Sequence, residues 1–442
     1  MGSKKFDGKG DGKQMIIKGR MQTITWILLF GSIILVSCNN EATPHDEHIT
    51  NQEEHQMEHE NGDQDQEQTP DMNEEFAKPP ENFNEQASEN LTYLQTKNVT
   101  RLGTEDPIDL SILVSQTIWP STHEQNQPGT VILVPNDNWQ IALASTNLIH
   151  HPNDGPVFFI KSNSIPDSVL NEINRLQPKG NSEGVEIMIM GEVSENVLTQ
   201  LNDFKVQHLE ETEPAAFARD IDRTYSNLTN DVPNQVIIGS MEEEDKLYTM
   251  IAANWIAHMA EPLLYVSSDN IPEATIEALE ERNDEVQMYL LGPNTVISDE
   301  VANQLEEFGS IVRINGDTPT QTAIEFAKFK DKETNFGWGI TGPGHGISFI
   351  STETQDLAII AAPFSHLGKH APLLWLENGE LTNELYEYLA LLKPTFEIEP
   401  TEGPYNHAFI MGSVNNISFQ VQGIIDEKLE IVAAGGKGHG DH

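Results

Sequence analysis

Cysteine is almost missing from this chain: Cys38 is the only one among 442 residues. One thiol makes no intramolecular disulfide and leaves no thiolate cluster for structural zinc or an iron–sulfur centre. Basic residues are scarce as well. Lys and Arg total 25 against 70 Asp and Glu, a formal net charge of −45. That imbalance argues against nucleic acid as a partner, because phosphate contacts need a basic face, and it offers no electrostatic grip on an anionic surface. Catalytic signatures are absent too: no Gly-x-Ser-x-Gly elbow, His-Glu-x-x-His pair or P-loop occurs. The sequence therefore reads as non-catalytic and without a cofactor. The apolar run near the N-terminus, residues 26–36, falls well short of the ~20 residues that a membrane-spanning helix needs.

What is present begins with an address. Residues 1–38 carry six Lys or Arg against two Asp, and Lys18 and Arg20 precede the apolar run. A charged segment followed by a short apolar one reads as a secretory signal peptide. The run closes on Leu35-Val36-Ser37-Cys38, which resembles the bacterial lipobox. That resemblance implies diacylglyceryl modification of Cys38, cleavage before it, and a lipid anchor on the outer face of the cell membrane. Residues 39–92 form an acidic stretch, with sixteen Asp or Glu and one Lys between 39 and 90. Its few aliphatic side chains cannot offset chain entropy, so a disordered tether extended by charge repulsion is expected. His45, His48, His55 and His59 lie among the carboxylates, which opens a second reading as a cation-handling surface lipoprotein. The Gly-rich residues 433–442 read as a flexible tail.

The body is one unit written three times. Apolar segments led by proline recur at Pro156-Val-Phe-Phe-Ile, Pro262-Leu-Leu-Tyr-Val and Pro372-Leu-Leu-Trp-Leu, with spacings of 106 and 110 residues. A second series ends in glycine: Ile187-Met-Ile-Met-Gly191, Met288-Tyr-Leu-Leu-Gly292 and Phe409-Ile-Met-Gly412. A third places Arg101 before Pro107, His208 before Pro214 and Arg313 before Pro319. Within a unit, continuous apolar runs such as Val131-Ile-Leu-Val134 fit strands buried on both faces. Segments with helical spacing separate them, so right-handed βαβ units and parallel sheets are predicted. The expected units are 93–207, 208–312 and 313–432, each opened by its Arg- or His-containing strand.

The repeat resembles the cell-wall-binding type 2 repeat of Gram-positive surface proteins. The matching pieces are Val99-Thr-Arg101-Leu-Gly103, Ile311-Val-Arg313-Ile-Asn-Gly316, the Thr322-Ala323 pair, and Ala-rich helices at Ile141-Ala-Leu-Ala144, Ile251-Ala-Ala253 and Ile359-Ile-Ala-Ala362. The resemblance covers residues 97–432. It implies three α/β units in a pseudo-threefold arrangement and non-covalent attachment to anionic wall polymers. The family's Arg after the opening Gly-x-Asp is replaced here by Thr104-Glu105-Asp106-Pro107 and its counterparts. With −34 on the body, a polyanion would need local basic pockets or bridging divalent cations.

Ligands of parallel α/β units sit outside the carboxyl ends of the strands. The candidate ligand residues are therefore Asn136, Asp137 and Asn138, then Glu242, Glu243 and Glu244, then Thr352 and Glu353, with Arg101 and Arg313 as basic positions. Their polarity favours a hydroxyl-rich or cation-bridged glycan. His366 and His370, four apart, are candidate metal ligands on one helix face. Each unit also has histidine shortly before its Pro-led strand: His150 and His151, His258, and His366. The blander reading of these is a helix end, where histidine complements the carbonyl dipole. Trp119, Trp139, Trp255, Trp338 and Trp375 could stack on sugars, though their spacing fits a core better. Gly342-Pro-Gly-His345-Gly346 precedes a strand, the wrong context for a phosphate cradle. The combined expectation is a lipid-anchored, non-catalytic surface protein that binds or scaffolds cell-wall polymer.

Overall fold

The arrangement of the repeats depends on a strand that lies outside the three successive units. In the computed structural model, which describes residues 72–434 apart from 85, 283–285 and 368–369, β1 (Val99–Leu102) is followed by a first group, β2 (Val131–Pro135), β3 (Val157–Ile160), β4 (Ile187–Met190) and β5 (Val206–Leu209). The second group is β6 (Gln235–Ser240), β7 (Leu263–Val266), β8 (Val286–Leu291) and β9 (Gly309–Ile314). The third is β10 (Gly346–Ser351), β11 (Leu373–Leu376), β12 (Thr395–Phe396), β13 (His407–Met411) and β14 (Val432–Ala433). Cys38 and its apolar run, most of the acidic stretch, and the tail from 435 lie outside the described residues. Among the described residues no helix is long and apolar enough to cross a membrane.

Three four-stranded sheets result, ordered β3-β2-β4-β5, β7-β6-β8-β9 and β11-β10-β13-β1, and every pairing is parallel. β12 and β14 form a small parallel pair of their own. The central strands are buried on both faces, as their unbroken apolar runs require. The sheets are equivalent, but their membership differs from the expected one. The Arg- or His-containing strand does not open its own unit. β5 completes the first sheet, β9 the second, and β1 returns to complete the third by pairing with β13, Arg101 opposite Ile410. Boundaries drawn at 207/208 and 312/313 thus fall inside β5 and β9. A cyclic repeat has no intrinsic phase, so its period alone cannot say which neighbour a strand joins.

The side chains of that series make the exchange specific. Each donates to the carbonyl of the glycine that ends the neighbouring strand: Arg101 to Gly412 at 2.9 Å, His208 to Gly191 at 2.8 Å and Arg313 to Gly292 at 3.0 Å. Those glycines have φ of +128°, +74° and +103°, a left-handed turn that side chains rarely adopt. Arg101 is buried, and its guanidinium also reaches Gln422 Oε1 at 2.6 Å, Ser413 O at 3.1 Å and Ser418 O at 3.3 Å. No carboxylate is among these acceptors, and burial lowers its pKa to about 10.

From each exchanged strand the chain enters a linking helix with proline at its first turn: Pro107–Ile118, Pro214–Thr229 and Pro319–Lys328. Asp106, Glu213 and Thr318 cap them. Each linking helix packs on the edge strand of the next sheet, β3, β7 or β11, and so covers an edge that would otherwise be open. Each is also fastened by a polar contact to that sheet's outer helix or to the residues just after it. Ser115 donates to buried Glu172 at 2.6 Å, Asp222 pairs in both oxygens with buried Arg282 at 2.9 and 3.1 Å, and Gln321 donates to Glu384 at 3.2 Å. Inside lie three short Ala-rich helices, Trp139–Ser145, Ala252–Ile256 and Leu357–Ala361, with every residue buried apart from Gln140. They belong to one continuous apolar core shared by all three units.

Replacing Arg101 by Ala strands four acceptors at the closure between β1 and β13. The expected cost is about 3 kcal/mol, read as a lowered urea midpoint. An unchanged midpoint would show that the closure does not depend on this side chain.

Candidate functional site

The loops after β2, β6 and β10 do meet, but not as an open ring of acids. Lys246, buried although charged, sits among all three units. Its amine is 2.8 Å from Asp356, 3.6 Å from Glu243 and 5.6 Å from the centre of the Trp139 ring. Trp139 Nε1 in turn donates to Glu243 at 2.7 Å, and Gln140 donates to Met241 O at 2.9 Å. Glu243, although exposed, therefore bridges two units, while Glu242 is half-buried and Glu244 is exposed without such a contact among the described residues. Asn138 caps its helix by accepting from Ile141 N, and Asn136 and Asp137 beside it are exposed. Thr352 accepts from Asn378 N at 2.9 Å, and Glu353 is exposed. Arg313, half-buried, directs its second terminal nitrogen at Ile297 O, 2.9 Å away. Arg101 and Arg313 thus act as struts between strands, and neither is grouped with the loop residues.

Two clefts with polar side chains on their walls open at the surface. The first, of about 510 Å³, lies at the carboxyl ends of the first sheet and is lined by Asp137, Asn138, Ser162, Asn163, Glu192 and Thr212. The second, of about 450 Å³, lies where the end of β9 and its linking helix face the outer helix Asn383–Leu391, with Asp317, Gln321, Glu325, Glu384 and Glu387 on its walls and Lys328 as its cation. The loops after β3, β4 and β5 that complete the first cleft are not apparent from the candidate residues. The glycine-ended strand motif was the signal for one of them. Trp119, Trp139, Trp255, Trp338 and Trp375 are all buried, so they are core side chains and no sugar platform.

The histidines behave differently from a pair on one helix face. The short helix before His366 ends at Ser365, and His370 follows with φ +58°, so the two are not related by a helical turn. Each instead meets His258. His258 Nδ1 lies 3.3 Å from His366 Nδ1, and His258 Nε2 lies 3.1 Å from His370 Nδ1. His150 stacks on His366 with ring centres 3.4 Å apart, His151 lies 3.9 Å from His150, and His345 lies 5.7 Å from His370. His150, His258 and His366 are spaced 108 residues apart, one per unit, at the ends of the three inner helical segments and before β3, β7 and β11. Burial is the main cause that lowers their pKa values, to about 3 for His258 and about 4 for His150 and His370, with the neighbouring imidazoles adding to it.

The contact with Trp139 distinguishes Glu243 from its equally exposed neighbour Glu244. Glu243→Ala should lower stability by about 1 kcal/mol through the lost indole bond, whereas Glu244→Ala should stay within about 0.5 kcal/mol of the parent. Thermal unfolding of both variants checks this, and equal behaviour would refute it.

No family model matches this chain, and no curated protein matches it. Among solved structures its fold is similar to Cwp6 from Clostridium difficile, with a TM-score of 0.57 and 15% identity over 73% of this chain and 48% of that one. It is likewise similar to Cwp8 from Clostridium difficile, with a TM-score of 0.58 and 15% identity over 76% of this chain and 52% of that one. The chain thus spans about half the length of each of these structures, and the likeness is one of fold.

Proposed function

We propose that this is a non-catalytic surface protein, anchored through Cys38, whose three-unit body binds or scaffolds a hydroxyl-rich or cation-bridged cell-wall polymer. The observation that carries the reading is the architecture. Three equivalent parallel sheets build the body, and two of them present clefts with polar groups at strand ends, in a fold shared with Cwp6 and Cwp8 and in a sequence that resembles wall-binding repeats. The clefts offer amides, hydroxyls and carboxylates, groups that pair with sugar hydroxyls through directional hydrogen bonds. Asp137 and Glu192 dominate the first cleft and Lys328 is already paired with Glu325 at 2.6 Å in the second. A bare polyanion would meet repulsion there, so phosphate-rich polymer would enter only with a divalent cation between the charges.

Co-sedimentation of the full chain with purified Gram-positive walls tests this, with and without chelator. Binding is expected, and Asp137→Ala combined with Glu192→Ala, or Asp317→Ala with Glu387→Ala, should weaken it several-fold while the melting temperature holds, since all four residues are exposed. Chelator-sensitive binding identifies cation bridging, and chelator-insensitive binding identifies hydroxyl recognition. Failure of the parent chain to sediment with walls would overturn the proposal.

A further inference from the structure

Each four-stranded sheet has two edges, and an unpaired edge presents backbone N–H and C=O groups to any extended chain that meets it. At β3, β7 and β11 the linking helices lie over the edge. At the opposite edges the sheets differ. Parallel pairing turns alternate residues of an edge strand away from its partner. In β1, Asn98 and Leu102 face β13, so Val99 and Arg101 turn outward. The stretch just before the strand takes up their groups. Gln95 Oε1 accepts from Arg101 N at 2.6 Å, Gln95 Nε2 donates to Arg101 O at 2.9 Å, and Thr96 N donates to Val99 O at 3.2 Å. Gln422, itself buried, holds that stretch in place by donating to Leu94 O at 2.5 Å.

β9 occupies the same position in its own sheet and has no such cover. Val286 N donates to Phe308 O at 3.2 Å and Gly292 N to Ile314 O at 3.0 Å. Ser310 and Val312 between them therefore face β8, and Ile311 and Arg313 turn their backbone groups outward. Among the described residues no hydrogen bond reaches the N–H or C=O of either. The order of the chain gives the reason. An irregular stretch precedes β1 and folds back along it, whereas β9 follows the helix Asp299–Leu305, with only Glu306 to Phe308 between them.

We infer that the outer edge of β9 is a docking site for an extended peptide segment bearing lysine or arginine, which adds to the second sheet as a fifth strand. Two observations select this occupant. The first is the third sheet, where the equivalent edge is already bonded by a neighbouring stretch of chain through both backbone groups of Arg101, so an edge at this position receives amide partners. The second is charge. Glu306 and Glu307 stand just before β9 and Asp317 just after it, all exposed, and none has an ion-pair partner among the described residues. The nearby cations are engaged, Arg313 with Gly292 O, Ile297 O and Asp299, and Lys328 with Glu325. A strand of six residues spans ~20 Å. A peptide with a cation at each end can thus pair its backbone with Ile311 and Arg313 while its ends meet those carboxylates, and an acidic peptide is repelled. A hollow of about 220 Å³ at the end of β9, bordered by Arg313, Asn315 and Phe329, leaves room for one of its side chains. The inference stands whether or not the body binds wall polymer.

The test uses the full chain and the probe peptide acetyl-Lys-Thr-Val-Thr-Val-Lys-amide, followed by calorimetric titration and by hydrogen–deuterium exchange. Binding that weakens as salt rises is expected, with slowed exchange over residues 309–314. Two control peptides separate strand addition from charge alone. Replacing both lysines by glutamate, or methylating the backbone nitrogens of the Thr and Val residues, should each abolish binding. In the chain, Glu306→Lys combined with Glu307→Lys should weaken binding several-fold while the melting temperature holds, since both positions are exposed. Ile311→Pro removes an outward N–H at an edge, where proline is tolerated, and should abolish the slowed exchange. If thermal unfolding shows that this variant does not fold, the charge-reversed chain and the methylated peptide decide. No binding by the parent, equal binding of the methylated peptide, or unchanged exchange over residues 309–314 would each overturn the inference. So would protection of residues 309–314 without peptide in a chain that sediments as a dimer, because the edge then belongs to a second copy.

Discussion

The exchange of one strand between neighbouring units governs the rest of this molecule. Each parallel sheet needs a fourth strand, and each takes it from the stretch that the next repeat would otherwise open with. For two sheets that strand follows directly in sequence. For the third it comes from the other end of the body, β1 onto β13. Parallel pairing demands a crossover connection, and the linking helices are those crossovers. Because each lands on the edge strand of the following sheet, no unit can bury its own faces alone. Stability is thereby shared around a closed ring instead of being summed along an open array.

That closure explains what the two ends of the inner helices hold. At the carboxyl ends of the strands, three loops are forced together and their acids would repel. Lys246 sits among them, with Asp356 and Glu243 as counter-charges and the Trp139 ring against its amine. At the amino ends the helical segments finish with histidine in every unit, and the same convergence brings those rings into contact. One end is thus tied by an ion-pair hub, the other lined by histidine rings. The inner helices between them are short and rich in alanine, and small side chains let the segments approach closely. Asn147 and Asn254, at corresponding turns, donate across to backbone carbonyls of the next unit.

Charge tells a related story. Several of the basic side chains in the body are spent inside it. Arg101 and Arg313 tie strand ends, Arg282 is locked to Asp222, Arg175 to Glu172, and Lys246 fills the hub. What faces solvent in the clefts is then mainly amide, hydroxyl and carboxylate, with Lys328 paired to Glu325 in the second. The interior use of arginine turns a sequence with few cations into a surface with fewer still.

The sequence alone determined the parallel α/β class, the three-unit period, the Pro-led and glycine-ended strands, the Ala-rich inner helices and the buried tryptophans' preference for a core. These follow from local periodicity and from proline and glycine chemistry, which act within a few residues. It also marked His150, His258 and His366 as a series, through their place shortly before each Pro-led strand. Only the tertiary structure decided which sheet each Arg- or His-bearing strand joins, because a repeating pattern carries no phase until its ends meet. Only the tertiary structure separated Glu243, committed to Trp139 and Lys246, from Glu244, which looks the same in sequence. The contacts of His258 with His366 and His370 were also set there. Residues more than a hundred positions apart become neighbours only when three helices end at one place, a property of the closed ring rather than of any stretch of chain.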